Sequence, residues 1–219
     1  TVNITKGYSG GYHGGLTMIN SSFNIGGSYT ENFQAGGGPV TLDNSSITTS
    51  GSFYASQNTV YTLTNNSSII VGGDYNTGNS VTFNVTDSEF DVSGVVAIHQ
   101  YSNFNFTNSS FHSGDSLTTY NGVAIDLDNS DLSVSSGNLT NGYQASIVAD
   151  NGSSISVSNG DLIMSNESSL DVTDSDVIVE GNLDNNWLGD VNINSGSTMF
   201  ITDDVDNKTE KSGSNKNLT

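Results

Sequence analysis

The chain has 219 residues and a formal net charge of -19, with four lysine or arginine residues against 23 aspartate or glutamate residues. All four cations are lysines near the two ends (Lys6, Lys208, Lys211 and Lys216), so the body has no group that could neutralise phosphates, which argues against nucleic acid and anionic membrane surfaces as partners. Cysteine is absent and only three histidines occur, which excludes disulfides and leaves no basis for a zinc or redox site.

Export is indicated by composition. No apolar run approaches the roughly 20 residues that cross a bilayer, so direct membrane insertion is not expected. No charged-then-apolar leader opens the chain, which begins at Thr1, and we therefore expect a mature or trimmed segment of an exported protein. Asn, Ser, Thr, Gly and Asp dominate, as is typical of extracellular repeat proteins. The expected location is extracellular or at the cell surface.

The first predicted elements are irregular. Residues 1–19 contain strand-like Val2 and Ile4, then a run rich in Gly and Tyr, then an apolar stretch from Leu16 to Ile19. This arrangement predicts a degenerate first coil of the repeat that follows.

From residue 20 the pattern [Asn/Asp/Gly]-Ser-x-apolar-x-apolar-x-Gly-x-apolar recurs along the chain. Its serines are Ser21, Ser45, Ser67, Ser88, Ser109, Ser130, Ser153, Ser175 and Ser197. Their spacing of about 21 to 24 residues is the period of a solenoid in which one coil is stacked many times.

Each repeat predicts three short strands. Apolar residues alternate after the Ser, as in Leu132 and Val134, and also before it, as in Ile125 and Leu127, which is the signature of strands with one buried face. A further inward column follows near the Gly; its members are Tyr29, Phe53, Tyr75, Val96, Leu117, Leu139, Leu162, Leu183 and Val205.

The residue before each Ser is predicted to turn the chain. It is Asn, Asp or Gly in all nine repeats, the types that tolerate left-handed backbone angles, and stacked Asn side chains can hydrogen-bond from coil to coil. The only proline, Pro39, follows a Gly-rich insert and predicts a loop on an early coil.

Together these features predict an all-β fold, a right-handed parallel β-helix (β-solenoid) of about nine to ten coils of 21–24 residues. Residues 1–205 form a single solenoid domain, and residues 206–219, which lose the period, form a polar C-terminal linker or arm. About ten coils at roughly 4.8 Å each give a rod on the order of 50 Å long.

The recurring unit over residues 16 to 205 resembles the repeats of right-handed β-helix surface proteins: autotransporter passengers, filamentous haemagglutinin-like proteins and pectate-lyase-like adhesin repeats. The resemblance implies a secreted or surface-displayed rod used for adhesion, spacing or filament building. Neither an autotransporter membrane barrel nor a cysteine-bearing haemagglutinin secretion signature is present in the sequence.

Catalysis is not expected. The resemblance to pectin lyases would require a basic residue, which the body lacks, and a glycosidase would need two paired carboxylates. The candidate carboxylates fall in three groups: Asp87, Glu89 and Asp91; Asp126, Asp128 and Asp131; and Asp171, Asp174 and Asp176. They are predicted to serve turns and solubility. No cofactor is expected, although a structural Ca²⁺ among these oxygens is an alternative; His13, His99 and His112 are predicted to be incidental.

Candidate N-glycosylation sites follow the Asn-x-Ser/Thr pattern. They are Asn3, Asn20, Asn44, Asn65, Asn66, Asn84, Asn105, Asn108, Asn138, Asn151, Asn166, Asn207 and Asn217. The Asn-Ser-Ser corner would generate several of them by turn chemistry alone, so both uses stay open, with glycans as partners in an archaeal or eukaryotic host.

Aromatic residues divide into two sets. Tyr29, Phe53 and Tyr75 are predicted to lie in the core. Candidate ligand or subunit contacts are the aromatics of the variable segment after the Gly: Tyr54, Tyr101, Tyr120, Tyr143 and Trp187.

The function expected from the sequence is that of an extracellular structural or adhesive protein. It would be a segment of a surface adhesin rod, or a subunit that self-associates into a filament, because β-helix ends leave strand edges to be paired. The alternative is a carbohydrate-binding or polysaccharide-processing β-helix.

Overall fold

The computed structural model describes residues 1–10, 14–31, 37–186 and 188–208. The described chain winds through three strands per coil, with nine complete coils and two strands of a tenth. None of the described residues forms a helix of the length and hydropathy that spanning a membrane would require.

The strands of the first five coils are short and evenly spaced. In chain order they are β1 (Val2–Ile4), β2 (Tyr8–Ser9), β3 (Leu16–Ile19), β4 (Ser22–Ile25), β5 (Tyr29–Thr30), β6 (Val40–Asp43), β7 (Ser46–Thr49), β8 (Phe53–Ala55), β9 (Val60–Thr64), β10 (Ser68–Val71), β11 (Tyr75–Thr77), β12 (Thr82–Thr86), β13 (Glu89–Val92), β14 (Val96–Ile98) and β15 (Asn103–Thr107).

The remaining strands continue the same order. They are β16 (Ser110–Ser113), β17 (Leu117–Thr119), β18 (Ala124–Asp128), β19 (Asp131–Val134), β20 (Leu139–Asn141), β21 (Ser146–Asp150), β22 (Ser154–Val157), β23 (Leu162–Met164), β24 (Ser169–Val172), β25 (Asp176–Val179), β26 (Leu183–Asn186), β27 (Asp190–Ile193), β28 (Thr198–Ile201) and β29 (Val205–Lys208).

Three parallel sheets result, because every third strand pairs with the equivalent strand of the next coil. Sheet A runs from β1 to β28 with ten strands, sheet B from β2 to β29 with ten, and sheet C from β3 to β27 with nine. The parallel pairing confirms the predicted β-solenoid, and its core runs along the axis enclosed by the three sheets.

The predicted inward columns are confirmed in register. Leu132 and Val134 pair with Ile155 and Val157 of the next coil, and all four are buried. Tyr29, Phe53 and Tyr75 are also buried. Their rings stack along sheet B with centroids 4.3 Å apart for Tyr29 and Phe53. The early coils therefore have an aromatic core, and the later coils an aliphatic one.

The corner before each Ser turns through the left-handed region as predicted. All nine residues have a positive φ, from 45° at Asn44 to 84° at Gly152. Amide stacking occurs between several of them. Asn44 Nδ2 donates to Asn20 Oδ1 over 2.6 Å, and Asn129 Nδ2 donates to Asn108 Oδ1 over 2.7 Å.

The corner serines form a continuous hydrogen-bonded ladder along the rod. The backbone N–H of each serine donates to the hydroxyl oxygen of the next, as from Ser88 to Ser109 (3.1 Å) and from Ser109 to Ser130 (3.0 Å). Eight such bonds join all nine serines. Serine recurs because its hydroxyl accepts this bond while donating to a carbonyl of its own corner.

Replacing Ser109 by alanine is expected to lower the free energy of unfolding by about 1–3 kcal/mol, because the buried N–H of Ser88 loses its acceptor. The Ser109 hydroxyl also donates to the Thr107 carbonyl over 2.7 Å. Urea unfolding measures the change. Ser110→Ala, on the outer face of sheet A, is the control; equal losses in the two variants would contradict the role of the ladder.

A second left-handed corner lies between sheets B and C, and the sequence pattern did not predict it. Its residues with positive φ are Asn58, Ser80, Tyr101, Gly122, Gln144, Glu167 and Leu188. They share no side-chain chemistry, so no motif marks them. We call this edge of the rod the B–C corner.

Coil length varies outside sheet A. Successive corner serines are 21 to 24 residues apart, whereas the strands of sheet A hold four residues in each coil from β4 to β28. Turns therefore absorb the differences and the strands keep their register.

Both ends of the described solenoid carry paired strands. The first coil, predicted over residues 1–19, has three short strands, β1 to β3. At the other end β29 pairs with β26 through Lys208, opposite Asn186, because backbone pairing continues where the apolar pattern stops. The rest of the predicted arm, residues 209–219, lies outside the described residues.

Candidate functional site

Three of the predicted contact aromatics come together at the B–C corner. Tyr101, Tyr120 and Tyr143 lie on three consecutive coils, and their side chains are exposed by 64%, 42% and 38%. His99 joins them, since its ring stacks on that of Tyr120 with centroids 4.7 Å apart and planes 15° apart. We call these four residues the aromatic ridge.

Glycines beside the ridge leave space for its rings. The position after His99 and Tyr120 in the same column is Gly142, so no side chain from that column covers the second face of the Tyr120 ring. The Tyr101 ring lies over Gly122, where an added Cβ would be 2.9 Å from its Cδ1. The ridge thus presents aromatic faces rather than a filled surface.

Polar groups flank the ridge. Gln144 Nε2 donates to Glu167 Oε2 over 2.8 Å, and the charge of Glu167 raises the pKa of the exposed Tyr143 phenol. Burial lowers the pKa of His99. On the side towards the first coil, an open recess of about 500 Å³ is lined by Tyr54, Gln57, Asn76, Thr77, Gly78, Asn79 and His99.

The other two predicted contact aromatics are placed differently. Tyr54 lies half-buried on the outer face of sheet B, in the recess beside the ridge. Trp187 lies outside the described residues.

The candidate carboxylates lie on outward faces and corners, and Asp128 lies directly opposite Asp150 of the next coil on sheet C. Along the outer face of sheet A acids alternate with hydroxyls, in the order Glu89, Ser110, Asp131, Ser154 and Asp176. Ser154 Oγ donates to Asp131 Oδ1. Within this column the alternation keeps like charges about two coil rises, roughly 9.6 Å, apart.

The described part of the chain holds no group of three or more His or acidic side chains placed to bind a metal. A structural Ca²⁺ stays a prediction, because calcium also accepts amide and backbone carbonyl oxygens as ligands. His112 Nδ1 lies 2.8 Å from Ser133 Oγ on sheet A, far along the coil from His99, and His13 is outside the described residues. Burial first, and then the charge of Asp150, raises the pKa of Asp126.

Most candidate glycosylation sites are accessible. Exposed positions are Asn3, Asn20, Asn44, Asn65, Asn66, Asn108, Asn151 and Asn207, and half-buried ones are Asn84, Asn105, Asn138 and Asn166. The predicted alignment of Asn84 and Asn105 is confirmed, since Asn105 Nδ2 donates to Asn84 Oδ1 over 2.8 Å. Asn217 is outside the described residues, and glycosylation stays a prediction.

A buried carboxyl group beneath the B–C corner was missed by the sequence analysis. Glu31 is 6% exposed. One of its oxygens accepts from the Tyr29 hydroxyl (2.9 Å), and the other accepts from Ser56 N–H (3.2 Å) and the Thr59 hydroxyl (3.3 Å). A Cβ on Gly37 would lie 2.7 Å from Glu31 Oε2, so glycine is needed where the chain closes over the carboxyl.

The charge of Glu31 acts on the buried tyrosines around it. Burial first, and then Glu31, raises the pKa of Tyr29, Tyr61 and Tyr75. The hydroxyl of Tyr75 is buried without a hydrogen bond. The cluster therefore holds one buried hydroxyl with a hydrogen bond, that of Tyr29, and one without, that of Tyr75. Substitution by phenylalanine can compare the two.

Two tyrosine-to-phenylalanine substitutions are expected to have opposite effects. Tyr29→Phe removes a donor to Glu31 and should lower the free energy of unfolding by about 1 kcal/mol, whereas Tyr75→Phe removes an unpaired buried hydroxyl and should leave stability unchanged or raise it by about 1 kcal/mol. Urea unfolding of the two variants, which retain the same ring, makes the comparison. A larger loss for Tyr75→Phe would contradict this description of the cluster.

Both ends of the described solenoid present unpaired strand edges. At the first coil Val2 is 58% exposed and Tyr8, Leu16, Met18 and Phe23 line an open recess. At the last coil Val205 is 49% exposed, although the residue below it in the same column, Leu183, is 1% exposed. The inward columns therefore reach both ends uncovered by any described residue.

The fold and these surfaces define a class: the chain is an all-β repeat protein, a parallel β-solenoid of about nine turns. Comparison with family models, with curated proteins and with solved structures finds no match.

Proposed function

We propose that the protein is an extracellular structural or adhesive rod, either a segment of a longer surface adhesin or a subunit that stacks end to end into a filament. The observation that carries this proposal is the pair of open ends, because unpaired strand edges with exposed apolar columns favour pairing with another coil. A further coil of a longer protein or a second copy of the chain would satisfy the same groups.

Register at the two ends supports stacking of a second copy. Lys6 is two positions after Ile4 and two positions before Tyr8; Asp203 has the same offsets from Ile201 and Val205. If β1 and β2 of one copy extend sheets A and B beyond β28 and β29 in the same register, Lys6 lies opposite Asp203, about one coil rise of roughly 4.8 Å away.

Charge also favours this contact. Residues 1–19 contain Lys6 and no acidic residue, whereas residues 197–208 contain Asp203, Asp204 and Asp206 against Lys208. Asp206 also pairs with Lys208 within its own copy, at 3.1 Å. The remaining acids leave the last coil negative, and the first coil is complementary to it.

A charge exchange tests the stacking. Lys6→Glu and Asp203→Lys should each weaken self-association of the purified chain in sedimentation velocity and shorten rods seen by electron microscopy, and the double variant should restore both. Glu89→Lys, the same acid-to-lysine change on the exposed face of sheet A in a middle coil, is the control. If the purified chain stays monomeric at every concentration, it is not a filament subunit, and the proposal that remains is a segment of a longer rod.

Carbohydrate binding is the second candidate function, and the exposed aromatic ridge favours it. We propose binding without catalysis, because the facing acids Asp128 and Asp150 lie at the opposite end of the sheet C strands from the ridge. Incubation with a panel of polysaccharides separates binding from processing. Release of reducing ends would contradict a non-catalytic role.

A further inference from the structure

We propose that the aromatic ridge binds an uncharged saccharide chain that lies along the B–C corner; this rests on the second candidate function and gives it a site. The corner offers ring faces, amide groups and a direction that a linear ligand can follow.

The ring faces come from Tyr101, Tyr120 and Tyr143. His99 supports one face of the Tyr120 ring at 4.7 Å, and Gly142 leaves the other face without a covering side chain from its column. Aromatic rings of this kind pack against the C–H faces of sugars, while the phenol hydroxyl remains free to hydrogen-bond. One face of the Tyr120 ring is thus packed against His99, and the other face is available to a ligand.

Backbone conformation holds one ring in place at a cost. Tyr101 has φ of 58°, a region that bulky side chains rarely adopt. The residues at this corner in the other coils share it, so it is a property of the turn. The conformation directs the Tyr101 ring over Gly122, where it extends the surface begun by Tyr120.

The groups beside the rings suit sugar hydroxyls. The adjoining recess is lined by the amides of Gln57, Asn76 and Asn79, each of which can both donate and accept. From Gln57 on the third coil to Glu167 on the eighth, the corner crosses five coil rises, about 24 Å in all. That length accommodates an oligosaccharide rather than a single sugar.

Charge restricts the ligand to uncharged saccharides. No lysine or arginine occurs between Lys6 and Lys208, and the chain carries a net charge of -19. Glu167 and the amide it accepts from lie at the ridge itself. A uronate or sulfated chain would meet like charge with no cation to pair it.

Isothermal titration calorimetry of the full chain tests the site, with hexasaccharides of glucose, mannose and N-acetylglucosamine as uncharged probes and hexagalacturonate as the anionic probe. At least one uncharged probe should bind. Tyr120→Ala should weaken that binding about tenfold, which is the scale of one aromatic contact, and Tyr120→Phe should retain it. Ile178→Ala, exposed on sheet A, should have no effect.

Three results would overturn the proposal: no binding of any uncharged probe at millimolar concentration, tighter binding of hexagalacturonate, or equal affinities of Tyr120→Ala and Ile178→Ala. If Tyr120→Ala fails to fold, Tyr143→Ala replaces it. Binding that survives both ridge variants would keep carbohydrate binding as a function and overturn this site. Sedimentation velocity measures self-association separately, so it tests the proposed rod independently of saccharide binding.

Discussion

Replacing Phe83 by alanine is expected to lower the free energy of unfolding by about 3–5 kcal/mol. The Phe83 side chain is fully buried, and its ring stacks on Tyr61 at 4.9 Å and on Phe104 at 5.2 Å. It also packs against Phe90 at 4.7 Å. The variant buries less apolar surface and leaves a cavity between adjacent coils. Urea unfolding measures the resulting loss of free energy.

Phe200→Ala is the matched control, because Phe200 is the same residue type but is 60% exposed on sheet A. Its effect on the free energy of unfolding should stay within about 0.5 kcal/mol. Because each coil contacts only its neighbours, the Phe83 substitution should destabilise the middle coils of the rod. Equal effects of the two substitutions would show that the aromatic column does not stabilise the rod.

Replacing Glu31 by alanine is expected to lower the free energy of unfolding by about 3 kcal/mol or more. The Tyr29 hydroxyl, the Ser56 N–H and the Thr59 hydroxyl all donate to its carboxyl, and each donor left unpaired in the interior costs about 1–3 kcal/mol. Thermal and urea unfolding should agree on the loss.

Glu31→Gln separates hydrogen bonding from charge, because the amide retains one acceptor oxygen and should lose less stability than alanine. Glu89→Ala, on the exposed face of sheet A, controls for removal of an acid. A chain in which Glu31→Ala is no more harmful than Glu89→Ala would contradict a structural role for the buried carboxyl.

The strands, columns and first corner could be predicted from the sequence because one physical demand repeats in every coil. A left-handed turn at Asn44 or Asp174 requires a residue type that tolerates it, and the next serine must serve the ladder. These demands are local, so they appear as a motif with a period.

The second corner and the buried acid could not be predicted in the same way. Tyr101 and Leu188 adopt positive φ without belonging to a favoured type, so packing between coils, rather than local preference, determines that turn. Glu31 lies beside Tyr29 in sequence, but its burial depends on Ser56, Thr59 and Gly37 from other turns. The three tyrosines of the ridge were predicted as candidate contacts, whereas His99 was expected to be incidental; its stacking on Tyr120 depends on the register between coils.

Register that is independent of turn length has a consequence for engineering. The interval from Ser21 to Ser45 is three residues longer than that from Ser88 to Ser109, yet β4 and β7 pair residue for residue. A foreign peptide grafted into a turn should therefore be displayed on the surface of the rod, at a position along its axis set by the choice of coil. The neighbouring strands should keep their pairing.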